Sequence, residues 1–379
     1  MIERELPSSL ALGIKQNFVL KVHNAKRYKQ SLSIFDHYPP ETQAEGLPIH
    51  LTVGGQQQIS VTYRLYSTER GELIFPKIQL HLQSPWQLLK RNIFLPIKSV
   101  THSYPNFAAV AHYALMATDH RLSQMGIIKK RRRGEGQDFH QLRDYRMGDS
   151  LRQIDWKATS RMQKVISREY QDERDQELIF LLDCGHRMLA KDDELSHFDH
   201  TLNAVLLLSH VALKQGDAVG FSTFGGKNRW LMPRKGLHYL PIVLNQLYDL
   251  QPQTVSPDYY QAATDLLVRH KKRALIILVT NLRDEDSDDL LAAVNVLKRR
   301  HLVLVASMRE QALDIAAEQT PQDFNDAVSY ASLQHYRHYR QQTFEQLQAQ
   351  SILSLDVIPQ DLSVSLINHY LQIKRSGRL

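Results

Sequence analysis

Residues 177–188 read ELIFLLDCGHRM, and the reading of this stretch decides the fold. The five residues 178–182 are apolar without a break, the mark of a strand buried on both faces of a parallel sheet. The run ends on Asp183. In open α/β sheets ligands bind beyond the carboxyl ends of the strands, so a carboxylate there draws attention as a metal or ligand group. The residues after it point the other way, because Gly185 has no side-chain donor and Arg187 carries a fixed positive charge.

Downstream the pattern repeats. A helix is expected over 197–215, with Gly216 placed to stop it, then strands at 218–224 and 229–232. Helices at 239–250 and 258–270 precede a buried strand at 274–280. A helix running to 300, a strand at 302–307, a long amphipathic segment at 322–349, a strand at 353–358 and a helix at 362–374 complete the chain. Strands alternating with helices predict a doubly wound, mainly parallel sheet covered on both faces.

Upstream the period changes to two. Ile49, Leu51 and Val53 alternate with polar residues, as do Ile59, Val61, Tyr63 and Leu65, and then Ile78, Leu80 and Leu82. Short strands separated by Pro39-Pro40 and Gly54-Gly55 predict an antiparallel β-sandwich. The expected division is a sandwich of immunoglobulin type over 1–105, a helical linker and charged block over 106–176, and an α/β domain over 177–379. The linker carries a helix at 107–125 and five consecutive basic residues at 129–133.

The chain has 379 residues, a formal net charge of +7 and one cysteine, Cys184. A single cysteine excludes an intramolecular disulfide framework and fits a reducing compartment. No apolar run approaches the ~18 residues that span a bilayer, and the first residues show no signal pattern. These features give a cytoplasmic expectation. No phosphate loop, nucleophile elbow or zinc-protease helix motif is present. Cys184 beside His186 lacks the third, orienting group of a nucleophilic site. The basic run has no interleaved aromatics to stack on bases, which argues against nucleic acid.

The charged block has a specific pattern: Gly134-Glu135-Gly136, Phe139, Leu142-Arg143-Asp144-Tyr145, Gly148-Asp149, Arg152 and Ile154-Asp155-Trp156, followed by Arg168-Glu169-Tyr170. It resembles the signature of the bacterial domain of unknown function 58 family. The resemblance implies a β-sandwich followed by a von Willebrand factor A-like domain. It also implies partnership with a MoxR-type AAA+ ATPase in a chaperone-like system with an unidentified client. Many such proteins carry a transmembrane hairpin before the β domain, which would bring the chain to the cytoplasmic face of a membrane; this chain begins where that domain begins. The interaction residues carried over are Arg143, Asp144, Tyr145, Gly148, Asp149, Arg152, Asp155 and Trp156. At the level of single residues a structural role competes with this one: Asp149, Arg152 and Asp155 as an ion network on a helix surface, Trp156 packed on the sheet.

A-like domains that hold a divalent cation place Asp-x-Ser-x-Ser after the first strand. Asp183 matches the aspartate, Gly185 and Arg187 replace the serines, and Asn281 stands in place of a later aspartate. The site is therefore read as degenerate and no cofactor is expected, since a hard cation needs several oxygen donors. Asp183 then pairs with Arg187, caps the following turn or holds a backbone amide. The acids Asp284, Glu285, Asp286, Asp288 and Asp289 open a helix, where the dipole alone favours them. The expected function is a non-enzymatic adaptor. The competing readings are a metal-dependent ligand-binding A domain and a basic-patch binder of nucleic-acid or membrane phosphates.

Overall fold

The computed structural model describes residues 1–84, 89–105, 138–146, 154–171, 176–192, 195–318 and 320–378. The expected helix at 107–125 and the basic run at 129–133 lie outside them. The N-terminal strands are β1 (Ile2–Glu5), β2 (Ser9–Ala11), β3 (Gln16–His23), β4 (Gln30–His37), β5 (Thr42–Glu45), β6 (Ile49–Val53), β7 (Gln58–Ser67), β8 (Gly71–Phe75), β9 (Lys77–Gln83), β10 (Lys90–Leu95) and β11 (Ser99–Tyr104). They form two four-stranded antiparallel sheets, β1-β3-β7-β5 and β10-β9-β4-β6, and a three-stranded sheet, β2-β11-β8. The third sheet departs from the purely antiparallel expectation, because β2 and β11 pair in parallel. Phe18, Leu20, Ile34, Leu65, Phe75 and Ile78 share one core. Within it Arg4 and Asp36 form an ion pair with both side chains fully buried, and the Tyr63 hydroxyl donates to the same carboxylate at 2.8 Å.

An antiparallel pair follows, β12 (Asp138–Asp144) with β13 (Ile166–Gln171), and between them lies helix α1 (Trp156–Met162). The C-terminal region is one six-stranded sheet of β14 (Glu177–Asp183), β15 (Ala218–Phe224), β16 (Trp230–Arg234), β17 (Leu275–Thr280), β18 (Leu302–Met308) and β19 (Leu353–Val357). Its order is β16-β15-β14-β17-β18-β19. All neighbours are parallel except the edge strand β16, which is antiparallel. The apolar run of β14 divides as its pleat requires. Leu178, Phe180 and Leu182 enter one core, and Ile179 and Leu181 enter the other. Burying each such side chain contributes about 1.5–3 kcal/mol.

The first core is covered by α2 (His197–Lys214), α3 (Leu240–Leu247) and the last helix, α8 (Leu362–Ser376); the second is covered by α4 (Tyr259–Arg269), α5 (Ser287–Lys298) and α7 (Phe324–Ala349). A short helix, α6 (Gln311–Glu318), precedes α7 and buries none of its residues. Helix α2 starts on a capping box: the Ser196 side chain accepts from the Asp199 amide and Asp199 accepts from the Ser196 amide. It stops at Gly216, whose φ of +89° a side chain would oppose.

The two regions meet at Arg70, in the turn between β7 and β8. Its Nε donates to Asp199 Oδ1 at 2.5 Å, its guanidinium lies 5.1 Å from the Phe198 ring centroid, and its carbonyl accepts from Gln251 at 2.9 Å. Tyr104 and Tyr248 add a ring contact at 5.1 Å.

Candidate functional site

Asp183 is fully buried at the end of β14. Its Oδ1 accepts from the Gly185 amide at 2.7 Å. Its Oδ2 accepts from the Thr280 hydroxyl at 2.7 Å and from the Tyr259 hydroxyl at 3.5 Å. Burial pushes the carboxyl above its ordinary value, while the bonds from Thr280 and Gly185 and the charge of Arg187 oppose that shift. Of the roles expected for Asp183, holding a backbone amide is the one observed. Arg187 is turned to other carboxylates: it donates to Glu285 at 3.1 Å and forms an ion pair with Asp286. Two members of the acidic group that opens α5 are thereby engaged.

The space in front of Asp183 is filled by backbone. The Cys184 amide donates to Phe224 O at 2.8 Å, the Gln253 amide to Cys184 O at 2.8 Å, and the His186 amide to Val255 O at 3.1 Å. These bonds pin residues 253–257 across the strand end. A Cβ at position 185 would sit 2.9 Å from both Pro257 Cδ and Val255 O. The loop therefore occupies the place where a ligand hydroxyl would project. A magnesium ion wants several oxygen donors in an octahedron, and the donors here are spent on Gly185, Thr280 and Tyr259. Such an ion does not fit this set of residues.

Asn281, at the end of β17, is also fully buried. Its Nδ2 donates to Glu310 Oε1 at 3.0 Å and lies 3.3 Å from His197 Nδ1. His197 Nε2 faces Asp192 Oδ2 at 3.3 Å. The neutral ring that accepts at Nδ1 and donates at Nε2 satisfies both contacts, and burial lowers the affinity of His197 for a second proton. Glu310 also pairs with Arg283. Through its Nδ2, Asn281 thus joins a polar network linking β17, the start of α2 and the turn after β18, while its buried Oδ1 has no hydrogen-bond partner among the described residues. Cys184 is buried, and burial pushes its thiol up to about 12, which removes the thiolate a nucleophile needs.

Beside this closed strand end, an open cavity of about 270 Å³ is lined by Thr223, Gly226, Gln253, Asp258, Asp265 and Arg269 among others.

The charged block is built differently. The Tyr145 amide donates to Val165 O at 2.8 Å and the Asp155 amide to Ile166 O at 2.9 Å. Ile154 bridges to Ser167. Asp155 caps α1, its Oδ1 accepting from the amides of Lys157 and Ala158 at 3.0 Å each. Asp155 is thus a helix cap; Asp149 and Arg152, with which its spacing in the sequence groups it, lie outside the described residues. Thr159 accepts from the Ile166 amide at 3.0 Å and ties the helix to β13. Trp156, the first helical residue, is 70% exposed, so the expectation that it packs on the sheet is corrected. Asp144 is exposed and Tyr145 half-buried. Arg143 is placed by its backbone in β12 opposite Ser167. Gly148, Asp149 and Arg152 lie outside the described residues.

The sequence profile of the family described as "Protein of unknown function DUF58" matches residues 141–349. The chain belongs to the DUF58 family. The match covers the second half of the charged block and most of the six-stranded sheet, and leaves the β region outside. A relative is the "Uncharacterized protein YeaD" of Bacillus subtilis (strain 168), 19% identical over 269 residues. That alignment takes in 69% of this DUF58 chain and 62% of the relative. Among solved structures, an aerotolerance-related membrane protein from Bacteroides fragilis aligns with 53% of this chain and 99% of its own, at 14% identity and a TM-score of 0.33. The SpRpn10 VWA domain aligns with 50% of this chain and 92% of its own, at 13% identity and a TM-score of 0.30. Among the described residues no helix is long and apolar enough to cross a membrane, and no group of three metal-ligating side chains occurs.

Proposed function

We propose that this DUF58 chain is a non-enzymatic adaptor that docks a MoxR-type AAA+ ATPase, or that ATPase's client, without a metal ion. In this reading residues 1–105 are a β-sandwich of immunoglobulin type, 106–176 a linker and signature block, and 177–379 a von Willebrand factor A-like domain. The sheet order, with its single antiparallel edge strand, supports the A-like assignment. The observation that carries the docking role is Trp156, held out at 70% exposure on a helix that is capped at its start and tied to a strand through Thr159. An exposed tryptophan on an ordered element is the residue type most enriched at interface hot spots.

The metal-free part of the reading rests on the closed strand end. Asp183, Arg187 and Asn281 are all engaged with protein partners. Asp183 already accepts three hydrogen bonds, from Gly185, Thr280 and Tyr259, and so offers at most one of its four lone pairs to an ion. We place the chain in the cytoplasm or at the cytoplasmic face of a membrane, with neither nucleic acid nor a cofactor in the role.

The test is capture of the MoxR-type ATPase by the full chain, with Trp156→Ala as the variant. Binding in one nucleotide state that is lost on Trp156→Ala supports the reading. Absence of binding in every nucleotide state, or a Trp156→Ala chain that binds as the parent does, overturns it. Asp155→Ala is the wrong variant for this purpose, because it removes a helix cap.

A further inference from the structure

Two exposed surfaces are opposite in charge. The first lies on and just after α1. Residues 156–165 contain three bases, Lys157, Arg161 and Lys164, and no acid. All three are exposed, and among the described residues no carboxylate pairs with any of them. Met162 and Val165 are exposed beside them, and α1 buries none of its residues.

The second surface is the α6 helix and the start of α7. Residues 315–334 contain three acids, Glu318, Asp323 and Asp326, and no lysine or arginine. Again all three are exposed, and among the described residues no cation pairs with them. Phe324 is 81% exposed, with Val328 four residues on along the same stripe and Ile315 exposed on α6. Helix α7 buries nothing before Leu333. Its far half is firmly held, since Arg340 donates to Leu282 O at 2.5 Å, Ser307 Oγ at 2.8 Å and Asp356 Oδ1 at 2.7 Å. The uncovered acidic end is therefore presented on a fixed element.

We infer that the acidic, apolar α6–α7 end of one copy docks on the basic, apolar α1 surface of a second copy of this chain. Three acids without a cation partner, of which Asp323 and Asp326 also accept backbone amides in the cap of α7, meet three bases without a carboxylate partner, and Phe324 and Val328 find apolar cover against Met162 and Val165. The two surfaces are different patches, so the contact is head-to-tail and repeats from copy to copy into a ring or an open chain. It goes beyond the adaptor reading and does not depend on it, because it is read on the purified chain alone; the basic surface shares α1 with Trp156.

Sedimentation velocity of the full chain tests this. The parent should associate with rising concentration at low salt and dissociate at about 1 M salt, where the screening length is about 3 Å. K157E/R161E and E318K should each weaken association about tenfold, and so should Phe324→Ser at its exposed site, where a substitution changes stability little. An equimolar mixture of the two charge-altered chains should regain association, since each retains the surface the other needs. A parent that stays monomeric at low salt overturns the inference, as does a crosslink joining the two surfaces within one chain. Variants that associate like the parent, or a mixture that stays monomeric, overturn it equally.

Discussion

Substituting Gly185→Ser restores one of the hydroxyls of a cation-binding A-like domain, and the structure says that it harms the protein instead of equipping it. The backbone at Gly185 has φ −79°, so a side chain brings no conformational penalty there. The cost is steric. The new Cβ would lie 2.9 Å from Pro257 Cδ, 2.9 Å from Val255 O and 3.0 Å from Asp183 Oδ1. Overpacking of this kind costs about 1–3 kcal/mol. Moving the loop to relieve it also gives up the bond from the His186 amide to Val255 O, worth about 1 kcal/mol. A loss of about 2–4 kcal/mol lowers the melting temperature of a region this size by about 4–16 °C. Calorimetry of parent and variant, with and without millimolar magnesium, is the assay. A ligand at about a hundred times its Kd stabilises by about 2.7 kcal/mol, so a working ion site would return most of the lost stability. The prediction is a lower Tm that magnesium does not restore. A variant that melts with the parent, or one that magnesium rescues, refutes the reasoning.

Arg70→Ala should cost about 3 kcal/mol, because it leaves Asp199 without its buried partner; limited proteolysis should then cut between the β region and the six-stranded sheet sooner than in the parent. Asp155→Ala should cost about 1 kcal/mol by uncapping α1, and Asp155→Ser should recover most of it; thermal melts of the two variants decide. His301, buried at the start of β18 with neither ring nitrogen hydrogen-bonded among the described residues, has its affinity for a proton lowered to about 4 from 6.5, chiefly by burial. Between these values the unfolded chain binds the proton and the folded chain does not, so this group makes stability fall as pH drops through that window. His301→Leu should flatten the loss, measured as Tm against pH; an unchanged slope counts against it.

The six-stranded sheet was legible because its strands are buried on both faces. Runs such as 178–182 and 275–279 have no other comfortable home in a soluble chain. Strands β7 and β9 showed in their alternation, but β1, β2 and β5 are three or four residues long and half polar, too short to establish a period. The β12–β13 pair was hidden in the charged block for the related reason that DFHQLRD and ISREYQ each hold only two apolar residues, too few to establish a period. At the candidate site the degenerate ligands were readable one by one in Gly185, Arg187 and Asn281. Their new partners were not, because Glu285, Asp286, Glu310, Thr280 and Tyr259 come from other elements of the sheet and its covering helices. The loop 253–257 that closes the strand end gives no sequence signal; it is visible only as the backbone a Cβ at position 185 would strike. Asp155 did have a signal, an aspartate directly before a helical stretch, but three-residue spacing to other charges competed with it.

The account turns on an exposed Trp156 as a docking anchor. The most direct measurement is the Kd of the full chain for its MoxR-type ATPase, compared with that of Trp156→Ala in each nucleotide state. Loss of a hot-spot tryptophan costs about 2 kcal/mol or more, so the account predicts binding that weakens by about thirtyfold in the folded variant. Equal Kd values for the two chains, or no binding by the parent in any nucleotide state, would contradict it.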